Sequence, residues 1–360
     1  MTIQLNALDT LFFKDGKPFS LGEETWADGI FPPPPSVIYG ALRTALMSGE
    51  LFANTLGDLI HRTDALQVQH FSVRLGGQDE YYPLPLDVVE HKDKGFEEID
   101  YEVFPLEIKE ISSGVVHNNK WPVFPQYRDT DNNTVEAISD GLISRANLIS
   151  YLKGKAKKFK VRKWSDYLEN EPKIGIKRNR QTLSTSADDG ELYRVGMKRM
   201  KGARIQVSYS WTNNEEHLRM SSKLMRLGAE GKVVEVSGLK EEAPWSGPTG
   251  IRTRFIKVYL TTPGLFKGDG PDLSPWGVQA SLRGMAIGKL FSLGGFDMKE
   301  RQPKPMLKAI PSGSVFYYKA EEEVDISVLQ GKAMADKING IDYAKQGFGI
   351  AYAGTWKPEK

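Results

Sequence analysis

Leu8-Asp9-Thr10-Leu11-Phe12-Phe13-Lys14-Asp15-Gly16-Lys17-Pro18-Phe19, followed by Ile30-Phe31-Pro32-Pro33-Pro34-Pro35-Ser36-Val37-Ile38-Tyr39-Gly40-Ala41-Leu42-Arg43, is the stretch from which the fold is read. Ile3–Phe13 alternates roughly in polarity, which predicts a strand. Asp15-Gly16 marks a turn that Lys17-Pro18-Phe19 leaves. Residues 22–30 read as an irregular loop. The four prolines that follow cannot lie inside a helix. They deliver an extended chain to Ser36, a good N-cap, and a helix is expected from there to about Leu46. Ile38, Leu42, Ala45 and Leu46 make its buried stripe, and Ser36, Gly40 and Arg43 a different face, small, polar and basic.

Working outward, Thr55–Leu66 reads as a short helix. Gln69–Leu75 and Tyr81–Leu86 read as paired strands around Gly76-Gly77. Ala137–Leu152 looks helical, with a start near Leu142 as the alternative. Ile174–Gln181 and Leu192–Arg199 read as two extended arms joined by the small, polar residues 182–190, which suits a protruding β-hairpin. Ile205–Tyr209, Val233–Val236, Arg254–Leu260, Val315–Lys319 and Phe348–Tyr352 are further strand candidates, and His217–Leu227 a short helix. Leu282–Phe291 fits strand or helix. Strands and helices alternate without the regular helical segments of a doubly wound sheet, so the fold class is α+β. At 360 residues there is room for two domains, divided near 200–210. The expected units are 1–204 and 205–360.

The net charge of +2 says little, but its distribution says more. Residues 151–204 hold 16 basic and 6 acidic side chains, and residues 79–110 hold 11 acidic and 3 basic. Clustered basic charge suits either a polyanion partner or a solvated, lysine-rich surface. No run of about 18 apolar residues is present, and the start has no basic segment followed by an apolar one, so neither a membrane span nor a signal peptide is expected. The chain has no cysteine, which removes disulfides and Cys-based zinc sites and fits a reducing cytoplasm.

Catalytic motifs are absent from the sequence. The histidines His61, His70, His91, His117 and His217 have no HxH or HxxxH spacing, and there is no GxSxG elbow or Walker loop. No cofactor or metal is expected. A metal-independent ribonuclease built on His70 or His217 stays open as an alternative. Asp9 and Asp15 read as turn formers.

Single-stranded RNA is held by cations on phosphates, aromatic faces under bases, and backbone N–H groups at glycine-rich turns. The hairpin offers Lys177, Arg178 and Arg180 on one arm and Tyr193, Arg194, Lys198 and Arg199 on the other. A charged hairpin edge that resists aggregation is the competing reading. Gly284–Pro305 offers Gly294, Gly295, Phe296, Arg301 and Lys304. The start of the first helix offers Ser36, Gly40 and Arg43, where free N–H groups suit a phosphate. Near the end, Gly347-Phe348-Gly349-Ile350-Ala351-Tyr352-Ala353-Gly354 adds Gly347, while Gly349 reads as a packing position. Phe12, Phe13, Trp26 and Phe31 form an apolar stretch suited to a partner, with Phe12 and Phe13 expected to point opposite ways.

Residues 8–43 and 347–354 together resemble the RAMP proteins of CRISPR effector complexes, most closely the third subunit of the Cmr, or type III-B, complex. The late glycine-rich segment is sparser in glycine and basic residues than in many RAMPs. The resemblance implies two tandem ferredoxin-like (RRM-like) domains with insertions, and a hairpin like the thumb by which RAMPs kink guide nucleotides. It implies a non-catalytic subunit that grips the 5′ repeat tag of the crRNA. The implied neighbours are the large polymerase-like subunit and an adjacent backbone RAMP subunit. A crRNA-processing endoribonuclease and a purely structural assembly subunit are the alternatives.

Overall fold

The computed structural model describes residues 1–14, 26–27, 29–47, 63–77, 79–91, 101–111, 121–127, 134–176, 192–211, 223–240, 245–297 and 302–358. Its principal elements are β1 (Thr2–Ala7), α1 (Pro35–Met47), β2 (Leu66–Leu75), β3 (Glu80–Pro83), β4 (Gly141–Ser144), α2 (Arg145–Leu152), β5 (Leu168–Ile176), β6 (Leu192–Met200), β7 (Ala203–Trp211) and β8 (Val233–Lys240). Then follow β9 (Arg252–Leu260), β10 (Ala280–Ala286), β11 (Val315–Asp325) and β12 (Ile350–Thr355). The fold is α+β, dominated by strands.

One sheet runs β8-β1-β7-β2-β3-β4 through its centre, each pair antiparallel, with short strands continuing it at both ends. Ile3 and Leu5, two residues apart on β1, are both buried, as the alternation requires. The second sheet runs β10-β11-β9-β12 and ends on the short strand Lys332–Ala333, again antiparallel throughout. Ile256–Leu260, Val315–Tyr318 and Ile350–Gly354, the middle stretches of β9, β11 and β12, are buried at every position, so they are covered on both faces. Ile350, Tyr352, Val315, Tyr317 and Tyr259 join the large core facing the first sheet. The intervening Ala351, Ala353, Phe316, Tyr318 and Val258 face a second core closed by Leu273, Val278, Ile326 and Leu329. That outer cover is loop with short 3-10 turns at Ser274–Trp276 and Ile326–Leu329.

α1 begins at Pro35, one residue earlier than expected. Pro35 tolerates the first helical position because that N–H would be unpaired anyway, so Ser36 lies inside the helix rather than capping it. Ile38, Leu42 and Leu46 are fully buried, as the spacing predicts, each contributing about 1.5–3 kcal/mol. The segment expected as one helix over 137–152 divides instead. Gly141–Ser144 is a strand, and the Ser144 side chain then caps α2 by accepting from the Asn147 N–H at 3.4 Å. The expected 204/205 division falls inside β7, which pairs with β1 and β2 of the first sheet. β8 pairs there too, so the chain passes to the second sheet between residues 240 and 252. Of the helix expected over 55–66, Thr63–Ala65 is a 3-10 turn and Leu66 opens β2. Of that expected over 217–227, Leu224–Arg226 is instead a short strand paired with β8. Residues 55–62 and 217–222 lie outside the described residues. Among the described residues, no helix is long and apolar enough to cross a membrane.

Candidate nucleic-acid interface

The proline run does more than introduce α1. Pro32–Pro35 form one wall of a cleft of about 430 Å³ between the two sheets. β2 supplies its floor through Phe71, Ser72 and Val73. The turns after β9 (Thr261–Pro263) and before β11 (Pro311–Ser312), with Gly288, Lys289 and Phe291, close the other side. A neighbouring cleft of about 370 Å³ shares Phe31, Pro32, Trp164 and Ser312, and reaches Asn170 and Lys198 at the root of the hairpin. Phe31 meets Trp164 edge-on at 4.9 Å between ring centres. Ser72 is 1% exposed, and its hydroxyl has no hydrogen-bond partner among the described residues. Lys289 is exposed at the rim. Apolar walls with a few polar groups suit a partly apolar, partly charged ligand.

The three helix residues are placed differently. Ser36 is half-buried and Gly40 exposed, with nothing within 4 Å of a Cβ built on it. Arg43 is turned to the protein: its Nε donates to Thr63 Oγ1 at 3.0 Å, and Asp64 lies 3.9 Å away. The open part of this face is therefore Gly40 and its surroundings.

The hairpin exists, with arms β5 and β6 in register from Leu168↔Met200 to Ile176↔Leu192. It starts six residues earlier than expected. Its root is ion-paired: Arg199 donates to Glu171 at 2.6 and 3.0 Å and to Asp9 at 3.1 Å. Lys198 bonds Asn170, and Lys201 pairs with Glu169 at 2.8 Å. Asp9, read from sequence as a turn former, is instead shared between Arg199 and Lys232; the Lys232 hydrogen bond chiefly holds its carboxyl down to about 2. Arg199 is thus ion-paired within the chain and is not an open contact, which corrects its expected role, whereas Lys198 donates to the uncharged Asn170 amide and keeps its charge at the edge of the second cleft. Tyr193 stands on β6 opposite Gly175, and half-buried Arg194 opposite Ile174. Lys177, Arg178 and Arg180 lie outside the described residues.

Gly294 and Gly295 lead into the two-residue strand Phe296–Asp297, paired with Gln302–Pro303; Lys304 donates its N–H to the Gly295 carbonyl at 2.9 Å. Arg301 lies outside the described residues. Gly347 is buried with φ +91°, and a Cβ there would stand 2.7 Å from Val68 Cγ1. Its N–H is taken by the Ala344 carbonyl at 2.9 Å and its carbonyl by Thr262 Oγ1 at 2.8 Å. No backbone donor is left there for a phosphate, so the expected contact at Gly347 gives way to packing of the closing segment on β2. Gly349 has φ +67° and touches Ala335.

The aromatic patch also needs correcting. Phe12 and Phe13 do point opposite ways, but both are buried, at 6% and 3% exposure. Phe13 joins the large core and Phe12 packs with Val195 and Met197 under the hairpin. Phe31 lines the clefts, and Trp26 stands on a two-residue strand beside β6.

His70 is 1% exposed, with Nδ1 3.0 Å from Tyr352 Oη. Burial pulls its pKa down to about 4, so the imidazole is neutral at pH 7 and shielded from any substrate. Between pH 6.5 and 4 the unfolded chain binds a proton that the folded chain does not. Stability should therefore fall as pH drops through this window, by about 2 kcal/mol between pH 7 and 5. His70→Gln should lose less over the same range, a difference read by thermal melting at the two pH values. An identical pH dependence in both proteins would rule out the assignment to His70.

The floor of the cleft, Trp164 and the turns at 261–263 and 311–312 were not singled out from the sequence. They are ordinary strand and turn residues that only the sheet packing brings together.

The sequence profile of the family described as "CRISPR-associated protein (Cas_Cmr3)" matches residues 3–356. No curated protein matches the chain in sequence. Among solved structures, a chain of the cryo-EM structure of the Type III-B Cmr-beta bound to cognate target RNA and AMPPnP, state 1, is similar. The TM-score is 0.51 at 16% identity, covering 88% of this chain and 86% of that one. The same complex bound to cognate target RNA alone gives a TM-score of 0.50 at 17% identity over 88% and 86%. A chain of the Csm3-Csm4 subcomplex of the type III-A CRISPR-Cas interference complex matches with a TM-score of 0.39 at 12% identity, over 90% and 97%.

Proposed function

The chain belongs to the Cas_Cmr3 family of CRISPR-associated proteins, and we propose that it is a non-catalytic RNA-binding subunit of a type III-B effector complex. Its task is to grip the 5′ repeat tag of the crRNA. It would adjoin an adjacent backbone RAMP subunit and anchor the large polymerase-like subunit in the cytoplasm. The observation that carries this reading is the cleft at the start of α1: aromatic and proline walls, a buried hydroxyl at Ser72 with no partner among the described residues, and Lys289 on the rim, with Gly40 exposed on the helix that the prolines lead into. Such a surface suits bases inside and phosphates outside. The burial of His70 removes one of the two histidines considered for cleavage; the other, His217, lies outside the described residues.

Two strand orders support reading the architecture as tandem ferredoxin-like units. Taking β1, β2, β7 and β8 as the four strands of one unit, their spatial order is fourth-first-third-second. β9, β10, β11 and β12 repeat that order. The division then falls between residues 240 and 252, and the hairpin and α2 belong to an insertion within the first unit.

The test uses labelled single-stranded RNA with a repeat tag at its 5′ end, a scrambled control, a salt titration and a denaturing gel run without metal. Tag-selective binding of intact RNA is expected. Gly40→Gln should stabilise α1 by up to about 1 kcal/mol, because glycine is a poor helix former. The same change should weaken tag binding about tenfold, or 1.4 kcal/mol, by filling the face that RNA approaches. Binding unchanged by Gly40→Gln would remove this face from the site. Cleaved RNA would overturn the recognition role.

A further inference from the structure

Lys153-Gly154-Lys155-Ala156-Lys157-Lys158-Phe159-Lys160-Val161-Arg162-Lys163 follows directly on α2, and seven of its eleven residues are basic and none acidic. The structure gives this run two different halves. Lys163 is used internally: it reaches Glu90 at 3.4 Å and lies 3.7 Å over the Tyr101 ring. Val161 and Phe159 are buried and fasten the strand that follows the turn. Lys153, Lys155, Lys157 and Lys158 are exposed. Of these, Lys158 has Glu102 at 3.7 Å, while Lys153, Lys155 and Lys157 make no ion pair with a described residue.

The turn is held in place by the fold. Gly154, at φ +66°, sits against Thr355 at the end of β12, and its N–H donates to the Tyr151 carbonyl at 3.0 Å. Lys155 N–H donates to the Ser150 carbonyl at 3.0 Å. The cations are therefore presented on a fixed backbone, with only their own side-chain entropy to lose on binding. The end of α2 opposite the turn adjoins β4, and the residues just before and within β4, Ser139 and Leu142, line the cleft. An eight-residue helix is about 12 Å long, so the lysines stand about one short helix from the cleft rim.

We propose that the Lys153–Lys158 turn is a second RNA-contact surface, sequence-independent, that holds phosphates of the strand whose tag occupies the cleft. This rests on the RNA-binding reading above and deepens it by adding a site on a different element. A spaced row of lysines without acidic neighbours in the run suits a polyanion read by charge alone, since lysine is a point charge with no fixed fork. A protein partner would need apolar anchors as well, and the exposed part of the turn carries only Ala156 between its lysines.

The test compares the full chain with its Lys153→Gln/Lys155→Gln/Lys157→Gln variant in the RNA assay. Three lost phosphate contacts should lower the slope of log K against log salt by about 2, at roughly 0.7 per contact for single strands. Affinity at low salt should fall about tenfold or more, equally for tagged and scrambled RNA. The triple Lys→Arg variant should keep both. Gly40→Gln should show the opposite pattern, losing tag preference while nearly keeping the slope. Should the glutamine variant fold poorly, acetylation of the three amines in the wild-type chain, with and without RNA, gives an independent reading; protection by RNA is expected. An unchanged slope, or amines that stay reactive while RNA is bound, overturns this site and leaves the cleft reading intact. A wild-type chain with no RNA affinity at low salt overturns the RNA-binding reading and this inference with it.

Discussion

Gly354→Ala is expected to lower the melting temperature by roughly 4 °C, following from a loss of about 3 kcal/mol. Gly354 lies on β12 where α2 crosses it. A Cβ built there overlaps the Leu152 carbonyl oxygen and stands 2.7 Å from Leu152 Cα. Both obstacles are backbone, so no side-chain rotation relieves them. α2 would have to lift off the sheet, and Leu148, Tyr151 and Leu152, all buried, would lose their packing. Alanine's lower entropy in the unfolded state offsets only about 0.4–1 kcal/mol of this. Gly40→Ala is the matched control. It adds the same methyl group with nothing within 4 Å, inside a helix, and should raise stability. Calorimetry on the two variants reads the contrast directly. Equal melting temperatures would mean that α2 is not seated on β12.

Asp87→Ala should cost about 3–5 kcal/mol, the effect of breaking a buried charged cluster from one side. Asp87 is 1% exposed and lies between the sheets. Tyr151 Oη and Tyr317 Oη each donate to it at 2.7 Å. The buried Lys257 amine stands 3.8 Å over the Tyr151 ring and 3.4 Å from the Tyr151 carbonyl. Alanine removes the acceptor of two buried hydroxyls and the negative charge near a buried ammonium. Asp87→Asn keeps an acceptor and should cost less. Burial already holds the Lys257 pKa below its ordinary 10.5, against the opposing pull of Asp87. Between that lowered value and 10.5 the unfolded chain binds the extra proton, so stability rises with pH across the window. Losing Asp87 lowers the folded pKa further and widens the window downward. Thermal melts from pH 7 to 9.5 should therefore show Asp87→Ala recovering stability relative to wild type. Adding Lys257→Met should rescue part of the loss, since the unpaired charge leaves with its partner. A loss under 1 kcal/mol in Asp87→Ala would show that the cluster does not hold the sheets together.

Much of the architecture was legible because it follows from local periodicity. Ile38, Leu42 and Leu46 announced the buried face of α1, and the alternating arms around residues 174 and 199 announced the hairpin. Missed boundaries have local reasons. Pro35 serves as a first helical residue, so the helix outran its expected cap. Ser144 caps a helix that begins only after a strand, so a continuous apolar run concealed two elements. The proposed site was legible in part. The proline run lines the cleft, while Arg43, Lys198 and Arg199 are turned to Thr63, Asn170 and Glu171.

By itself the sequence determined the α+β class, the buried face of α1, the hairpin and the kinship carried by residues 8–43. Each depends on residues close in the chain, whose spacing fixes their faces. Tertiary structure decided which cations remain open, because an ion pair such as Arg199 with Asp9 joins residues 190 apart. It also decided that Phe12 and Phe13 are buried and that Gly347 packs on Val68. The cleft between β2 and the turns at 261–263 and 311–312 has no sequence signature for the same reason. It is a space left between two sheets, set by how they pack and not by any residue's own preference.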